Sequence, residues 1–276
     1  EGGGMRNSLQ QLIFAARPKL KEARMSFYLL NRNSLTRTSL VIMLILLMLA
    51  VIAPLVILYP GDIWENTNPA NSLQPPSREH VFGTDELGRD LFSRILYGIK
   101  ISITTAVIAV GFAVVIGSVL GAIAGTLGGW ADEIIMRICD AFLSFPPLLL
   151  AIATSAMLGP SLENAQLSII ISWWPWYTRL LRGQAISVKE KPFVKAAEAI
   201  GTKKLRLMFR HIVPNCISPI IIQASMDMGS VILTIASLSF LGLGAQAPTP
   251  EWRLMVATGK SYFMLKREES GEIFSR

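Results

Sequence analysis

Few residues in this chain have the types and spacing that chemistry requires. His80 and His211 are its two histidines, and the topology derived below puts them on opposite sides of a membrane, where they cannot share an acid–base or metal site. Cys139 and Cys216 lie near opposite ends of different apolar runs and match no metal or redox spacing, so they read as isolated thiols in apolar surroundings. A phosphate loop needs Gly-x4-Gly-Lys-Ser/Thr; the near match Gly259-Lys260-Ser261 has Leu254 where the first glycine belongs. Asp227 is the one acid well inside an apolar stretch, where an unpaired carboxylate is costly. It is a candidate substrate-pathway contact, a partner for a charge on another subunit, or a residue near the interface if its span begins later. No metal set is visible, and a non-catalytic role is expected.

Coupling is a better description than catalysis for the polar interlude from Lys189 to Pro214, KEKPFVKAAEAIGTKKLRLMFRHIVP, which separates strongly apolar segments. Pro192 can open a helix at its first position, residues 193–200 continue it, and Gly201 supplies a stop. Thr202 is placed to cap a second helix from Lys203 to about His211, which should end before Pro214. Ala196 and Ala197 allow another backbone close approach, while Phe193, Val194 and Ile200 offer apolar anchors for a groove. The same residues also fit an amphipathic helix resting on a bilayer surface, and spacing alone does not choose between the two.

The elements that must hold this interlude are membrane spans. The chain has 276 residues, 51% hydrophobic and 16% charged, with mean hydropathy +0.47. Uncharged runs extend from Thr38 to Gly61, Ile101 to Ala131, Ala141 to Leu162 and Met228 to Pro250. Each supplies the roughly 20 apolar residues needed to cross a hydrocarbon core. A fifth, from Asn164 to Thr178, gains Leu180 and Leu181 if Arg179 and Arg182 snorkel to the headgroups. The expected fold is an all-α polytopic membrane protein, a bundle of five visible transmembrane helices at about 40–58, 101–125, 137–157, 164–181 and 216–243, with a segment at 189–214 projecting from it.

Basic residues orient the bundle. Residues 5–39 carry seven Lys and Arg against Glu22, and residues 179–211 carry nine against Glu190 and Glu198. The positive-inside bias puts both stretches, and the N-terminus, in the cytoplasm. The net charge of +7 therefore reports topology and contact with a lipid bilayer rather than nucleic acid. Glu1-Gly2-Gly3-Gly4 reads as an expression scar, residues 5–37 as a basic cytoplasmic segment, 38–263 as the membrane domain and 264–276 as a polar tail. Five spans place the C-terminus outside although Lys266 and Arg267 prefer the cytoplasm. Either the chain continues beyond Arg276 or the topology is odd-numbered.

Several motifs resemble those of one family. Lys195-Ala196-Ala197-x3-Gly201-x9-His211-Ile212-Val213-Pro214 resembles the Glu-Ala-Ala-x3-Gly-x9-Ile-x-Leu-Pro motif of permeases from binding-protein-dependent ABC importers, with Lys195, His211 and Val213 departing from it. The run from His80 to Asp90 resembles the Leu-Gly-Thr-Asp-x-x-Gly-Arg-Asp signature of the dipeptide, oligopeptide and nickel class. So do residues 238–244, followed by Pro248-Thr249-Pro250-Glu251-Trp252. The resemblance, to the C-type permease subunit, covers roughly residues 30–263. It implies a prokaryotic inner-membrane subunit, in a family usually of six spans. Such a subunit works with a homologous permease, two cytoplasmic ATPases that bind the ATP and Mg, and an extracytoplasmic substrate-binding protein. Phe193, Val194, Lys195, Ala196, Ala197, Ile200, Gly201, His211 and Pro214 then become the ATPase-docking coupling motif. Peptides are the implied cargo, with nickel or oligosaccharides as alternatives; a secondary transporter or channel would need more intramembrane charges than Asp227.

Other features read structurally. Gly117, Gly121, Gly125 and Gly129 recur every four residues, a stripe for close helix packing. Pro146-Pro147 and Pro175 interrupt two spans. Trp173, Trp174, Trp176 and Tyr177 form either an interfacial belt or an aromatic ligand cage, and Asp85, Glu86, Arg89 and Asp90 cap the next helix or meet the binding protein. If the interlude couples, Gly201→Asp or a bulky residue at Ala197 abolishes transport-stimulated ATP hydrolysis in the assembled complex and leaves membrane insertion intact. Unchanged stimulation in reconstituted vesicles contradicts this.

Overall fold

The structure, a computed structural model, describes residues 32–64 and 66–269. The proposed scar, most of the basic N-terminal segment and the end of the polar tail lie outside these residues. Among the described residues the chain is helical, with one isolated antiparallel bridge between Thr84 and Asp90. Among the described residues, 32–52 belong to one compact unit and those from Ala53 to another. The first span, α1, runs Ser34–Val56 through the Leu- and Ile-rich run, with Pro54 tolerated in its last turn.

The second unit is built on three long helices. α2, Leu91–Leu127, begins where the Asp90 carboxylate accepts the Ser93 N–H at 2.8 Å, satisfying one of the N-terminal amides a helix leaves free. It ends at Gly128, φ +65°, a conformation that favours glycine. α5, Leu162–Lys189, is capped by the Ser161 hydroxyl on Asn164 N–H at 3.0 Å. α8, Val213–Phe240, continues an unbroken helical path from Lys204. α2, α5 and α8 share one apolar core that includes Ala109, Ile169, Tyr177, Leu181, Ile220 and Ile235.

Gly117, Gly121 and Gly125 decide how α2 meets α5. A Cβ on Gly121 would stand 2.5 Å from the Thr178 carbonyl oxygen, one on Gly117 2.5 Å from that of Trp174, and one on Gly125 2.7 Å from Ala185 Cβ. The expected stripe is a backbone-to-backbone contact. Gly129 is not part of it: its φ is +58° and nothing lies near its missing Cβ, because it serves the turn into α3.

Two expected spans take different forms. In place of one helix over 137–157 there are α3, Gly129–Leu143, and α4, Pro147–Leu158, meeting at 86°. Pro146 and Pro147 hold the chain extended before α4 and deny it the amides a continuous helix needs. The span at 164–181 is longer, Leu162–Lys189, and its arginines pair with α3. Arg182 Nη2 donates to Asp132 Oδ2 of α3 at 2.7 Å, and Arg179 pairs with Asp140. Those charges keep α5 below the apolarity of a free-standing span; α1, α2 and the path from Lys204 to Phe240 qualify, and the bent pair makes a fourth.

α9, Trp252–Glu269, follows the Leu-Gly-Leu-Gly turn, and Trp252 Nε1 donates to Ile95 O of α2 at 2.7 Å. Gly121→Leu should separate α2 from α5 and cost at least the roughly 1–3 kcal/mol of an overpacked core. Gly111→Ala, where nothing lies within 4 Å, should be neutral. Thermal unfolding of the two variants in detergent measures the contrast, and equal melting temperatures contradict the packing role.

Candidate functional site

The interlude folds into an elbow. Pro192 opens α6, Pro192–Ala199, as its missing N–H predicts. At the other end Gly201, φ +80°, donates its N–H to Glu198 O at 2.9 Å while Thr202 N–H reaches Ala197 O at 3.2 Å. These two bonds are the Schellman closure of a helix C-terminus. A single helical turn, α7, Lys204–Leu207, follows. Lys203, not Thr202, occupies its N-cap position, and no side chain caps it.

The second helix does not stop before Pro214. A π-helical turn, Met208–Ile212, lets Val213 N–H bond Met208 O, five residues back, and the Asn215 side chain donates to His211 O at 2.6 Å. One wide turn thus absorbs the amide that Pro214 lacks, and the helix runs on into α8.

α6 has two faces. Val194 is fully buried and Ala197 is 7% exposed, both in the core with Val188, Leu207, Met208 and Ile212. Phe193 is 43% and Ile200 83% exposed, and Lys195, Ala196 and Gly201 are open as well. The nine residues expected to form one docking surface therefore divide. Val194 and Ala197 fasten the elbow to the bundle, because an eight-residue helix needs an inward face. Phe193, Lys195, Ala196, Ile200 and Gly201 face out, with Pro214 exposed and His211 half-buried further along. Lys195 Nζ lies 2.6 Å from Glu190 Oε2, and that hydrogen bond holds the Glu190 carboxyl below its usual range. Both side chains are largely exposed, so the pair contributes little to stability.

Asp227 lies away from the elbow, roughly 20 Å along α8 from its Val213 end, where the elbow joins, at about 1.5 Å per residue. Its position is mid-helix, not at an end. The fully buried Tyr177 donates its hydroxyl to Oδ2 at 2.6 Å, and Gln223 Nε2 donates to Oδ1 at 2.9 Å. The carboxylate borders a cleft of about 280 Å³ with Trp173 and Trp176 in its wall. The aromatic run is thus mid-helix as well, with Tyr177 in the core, and does not form a belt at a helix end.

Asp90 caps α2 as expected, yet the residues around it do more than cap. Asp85 accepts from Arg89 Nε at 2.7 Å and approaches Arg94 Nε at 3.5 Å, and His80 Nδ1 meets Asp90 Oδ1 at 2.9 Å. Arg94 also donates to the Ile63 and Pro248 carbonyls at 3.0 and 3.1 Å. The sequence does not single out Arg94 or Asp62, whose carboxylate accepts the Asp90 N–H at 3.0 Å, and marks Glu251 only as part of the Pro248–Trp252 motif. Glu251 is fully buried and accepts from Ser239 Oγ at 3.0 Å. The signal for this knot was the density of charge beside glycines in residues 80–94, where no apolar alternation could explain burial. Among the described residues no group of three or more His, Cys, Asp or Glu side chains could hold a metal.

Residues 117–265 match the family described as the binding-protein-dependent transport system inner membrane component. The chain is 46% identical over 239 residues to the dipeptide transport system permease protein DppC of Alkalihalophilus pseudofirmus, covering 87% of this chain and 78% of that one. It is 41% identical over 226 residues to the glutathione transport system permease protein GsiD of Escherichia coli, covering 82% and 74%. Helices of spanning length, the glycine-closed elbow and this extent of identity agree: the chain belongs to the family of binding-protein-dependent transport system inner membrane components.

Proposed function

We propose that this chain is the permease subunit of an ATP-driven peptide importer, paired with a homologous permease, and that its elbow couples the bundle to two cytoplasmic ATPases that bind ATP and Mg. The observation that carries the reading is the division of α6 into an inner face locked into the core and an outer face bearing Phe193 and Ile200. Exposed apolar side chains on a short helix ringed by Lys and Arg fit insertion into a groove of a soluble partner. Peptide as the cargo rests on the relatives, whose names specify dipeptide and glutathione transport.

The mechanism follows from stiffness. Val194 and Ala197 meet Val188 near the end of α5, and Leu207, Met208 and Ile212 at the start of the path into α8. A push on the outer face is delivered to both helices together rather than absorbed by a loop. ATP favours the closed ATPase dimer, and by linkage closure then shifts the bundle between inward-open and outward-open states. Cargo is delivered by an extracytoplasmic binding protein. The charge count orients the elbow and the N-terminus toward the cytoplasm.

Docking and fastening are separable. Ile200→Asp should weaken ATPase association by roughly 30-fold or more, the scale of an anchor worth about 2 kcal/mol, with little change in melting temperature. Val194→Asp, which puts an unpaired charge into the core, should lower the melting temperature even of the permease pair alone. Binding of purified ATPase subunits to permease in nanodiscs, alongside thermal unfolding, checks both. Equal ATPase affinity for Ile200→Asp and the parent contradicts docking at this face.

A further inference from the structure

The Asp227 cleft lies away from the elbow and is not explained by coupling. Its floor is a carboxylate whose two oxygens accept from neutral donors, Tyr177 Oη at 2.6 Å and Gln223 Nε2 at 2.9 Å. Among the described residues no Lys, Arg or His lies within ion-pair distance of Asp227. Two neutral hydrogen bonds orient the carboxylate and supply no opposite charge. An ionised group in the middle of a span helix is costly, and the cost falls when a cation arrives.

The rest of the wall suits a particular cation. Trp173 and Trp176 present indole surface, and Ser172 and Ser230 line the same space. A carboxylate and two indoles lining one cleft are the combination that binds alkylammonium groups, through charge and through the ring quadrupole. The cleft, about 280 Å³, is just below the roughly 300–1,000 Å³ range of ligand pockets, so it fits one terminal residue rather than a whole oligomer. The bend between α3 and α4 contributes the remaining wall, since Leu143 and Pro147, the residues on either side of the break, border the cleft. A straight third span would not bring both ends of the break to one cavity.

We propose that Asp227, held by Tyr177 and Gln223 in the cleft that Trp173 and Trp176 also line, is a contact site for the protonated amino terminus of a peptide in transit. This deepens the peptide-importer reading and rests on it. Tyr177 and Gln223 are positioning residues: their hydrogen bonds orient the carboxylate, Tyr177 from the core and Gln223 from the cleft wall. Being anchored in the core, Tyr177 also ties the site to the α2–α5 contact, because it packs over Gly117.

The test uses the assembled permease–ATPase complex in nanodiscs without binding protein, titrated with dialanine and with N-acetyl-dialanine while tryptophan fluorescence is followed. The parent should respond to dialanine at a concentration roughly tenfold or more below that needed for the acetylated peptide, the scale of one charge-assisted contact. Asp227→Asn should bring the two peptides together, and Asp227→Glu should restore part of the difference. Tyr177→Phe should weaken the response to dialanine more than to its acetylated form. Thermal unfolding and gel filtration establish that each variant keeps its partners. Equal responses of the parent to both peptides, no response to either, discrimination that survives in Asp227→Asn, or loss of the homologous permease on that substitution each overturn the site. Uptake of dialanine into vesicles by the parent with its binding protein is measured separately. Uptake without discrimination removes the site and leaves the importer, whereas no uptake removes the importer reading itself.

Discussion

Everything in the second unit depends on how closely α2 and α5 approach. Where helices pack in lipid, apolar surface alone gives no preference for a neighbouring helix over acyl chains, and tight backbone contact supplies the attraction. Glycines at 117, 121 and 125 make that contact possible over two turns. α5 can then be comparatively polar and still central. Its arginines pair with Asp132 and Asp140 on α3, and its Tyr177 reaches Asp227 on α8. α5 is a helix whose place is set by its neighbours more than by its own hydropathy.

The same contact gives the elbow its rigidity. α6 leaves the end of α5 and returns through the π turn into α8, so both of its connections lead to helices fixed against α2. Its inner face adds Val194 and Ala197 to the shared core. Short helices are not stable alone, and this one is held by one proline, one glycine closure and a pair of buried side chains. The outcome is a small element with almost no internal freedom, which is what a part that relays displacement requires.

Much of this could be read from residues, and the exceptions have physical causes. Pro192 and Gly201 announced the limits of α6, and the four-residue glycine spacing announced the α2–α5 contact, because each acts through local backbone geometry. The two faces of α6 were not legible: small and apolar residues occur all round it, and the distinction between Val194 and Phe193 is made by the helices above. Pro214 misled for a related reason. A proline deletes one amide, but whether the helix ends or widens into a π turn depends on Met208 and Asn215 taking up the loose groups. The knot of Arg94, Asp85 and the Pro248 carbonyl joins residues more than 150 positions apart, a pairing that no local pattern records.

The central claim is that the outer face of the elbow touches the motor. Photo-crosslinking from a benzophenone residue placed singly at positions 193, 200 and 194 of the assembled complex tests it most directly. Adducts with the ATPase subunit from 193 and 200, and only internal adducts from 194, are predicted. Adducts confined to lipid or to the substrate-binding protein from the two outward positions would contradict the account.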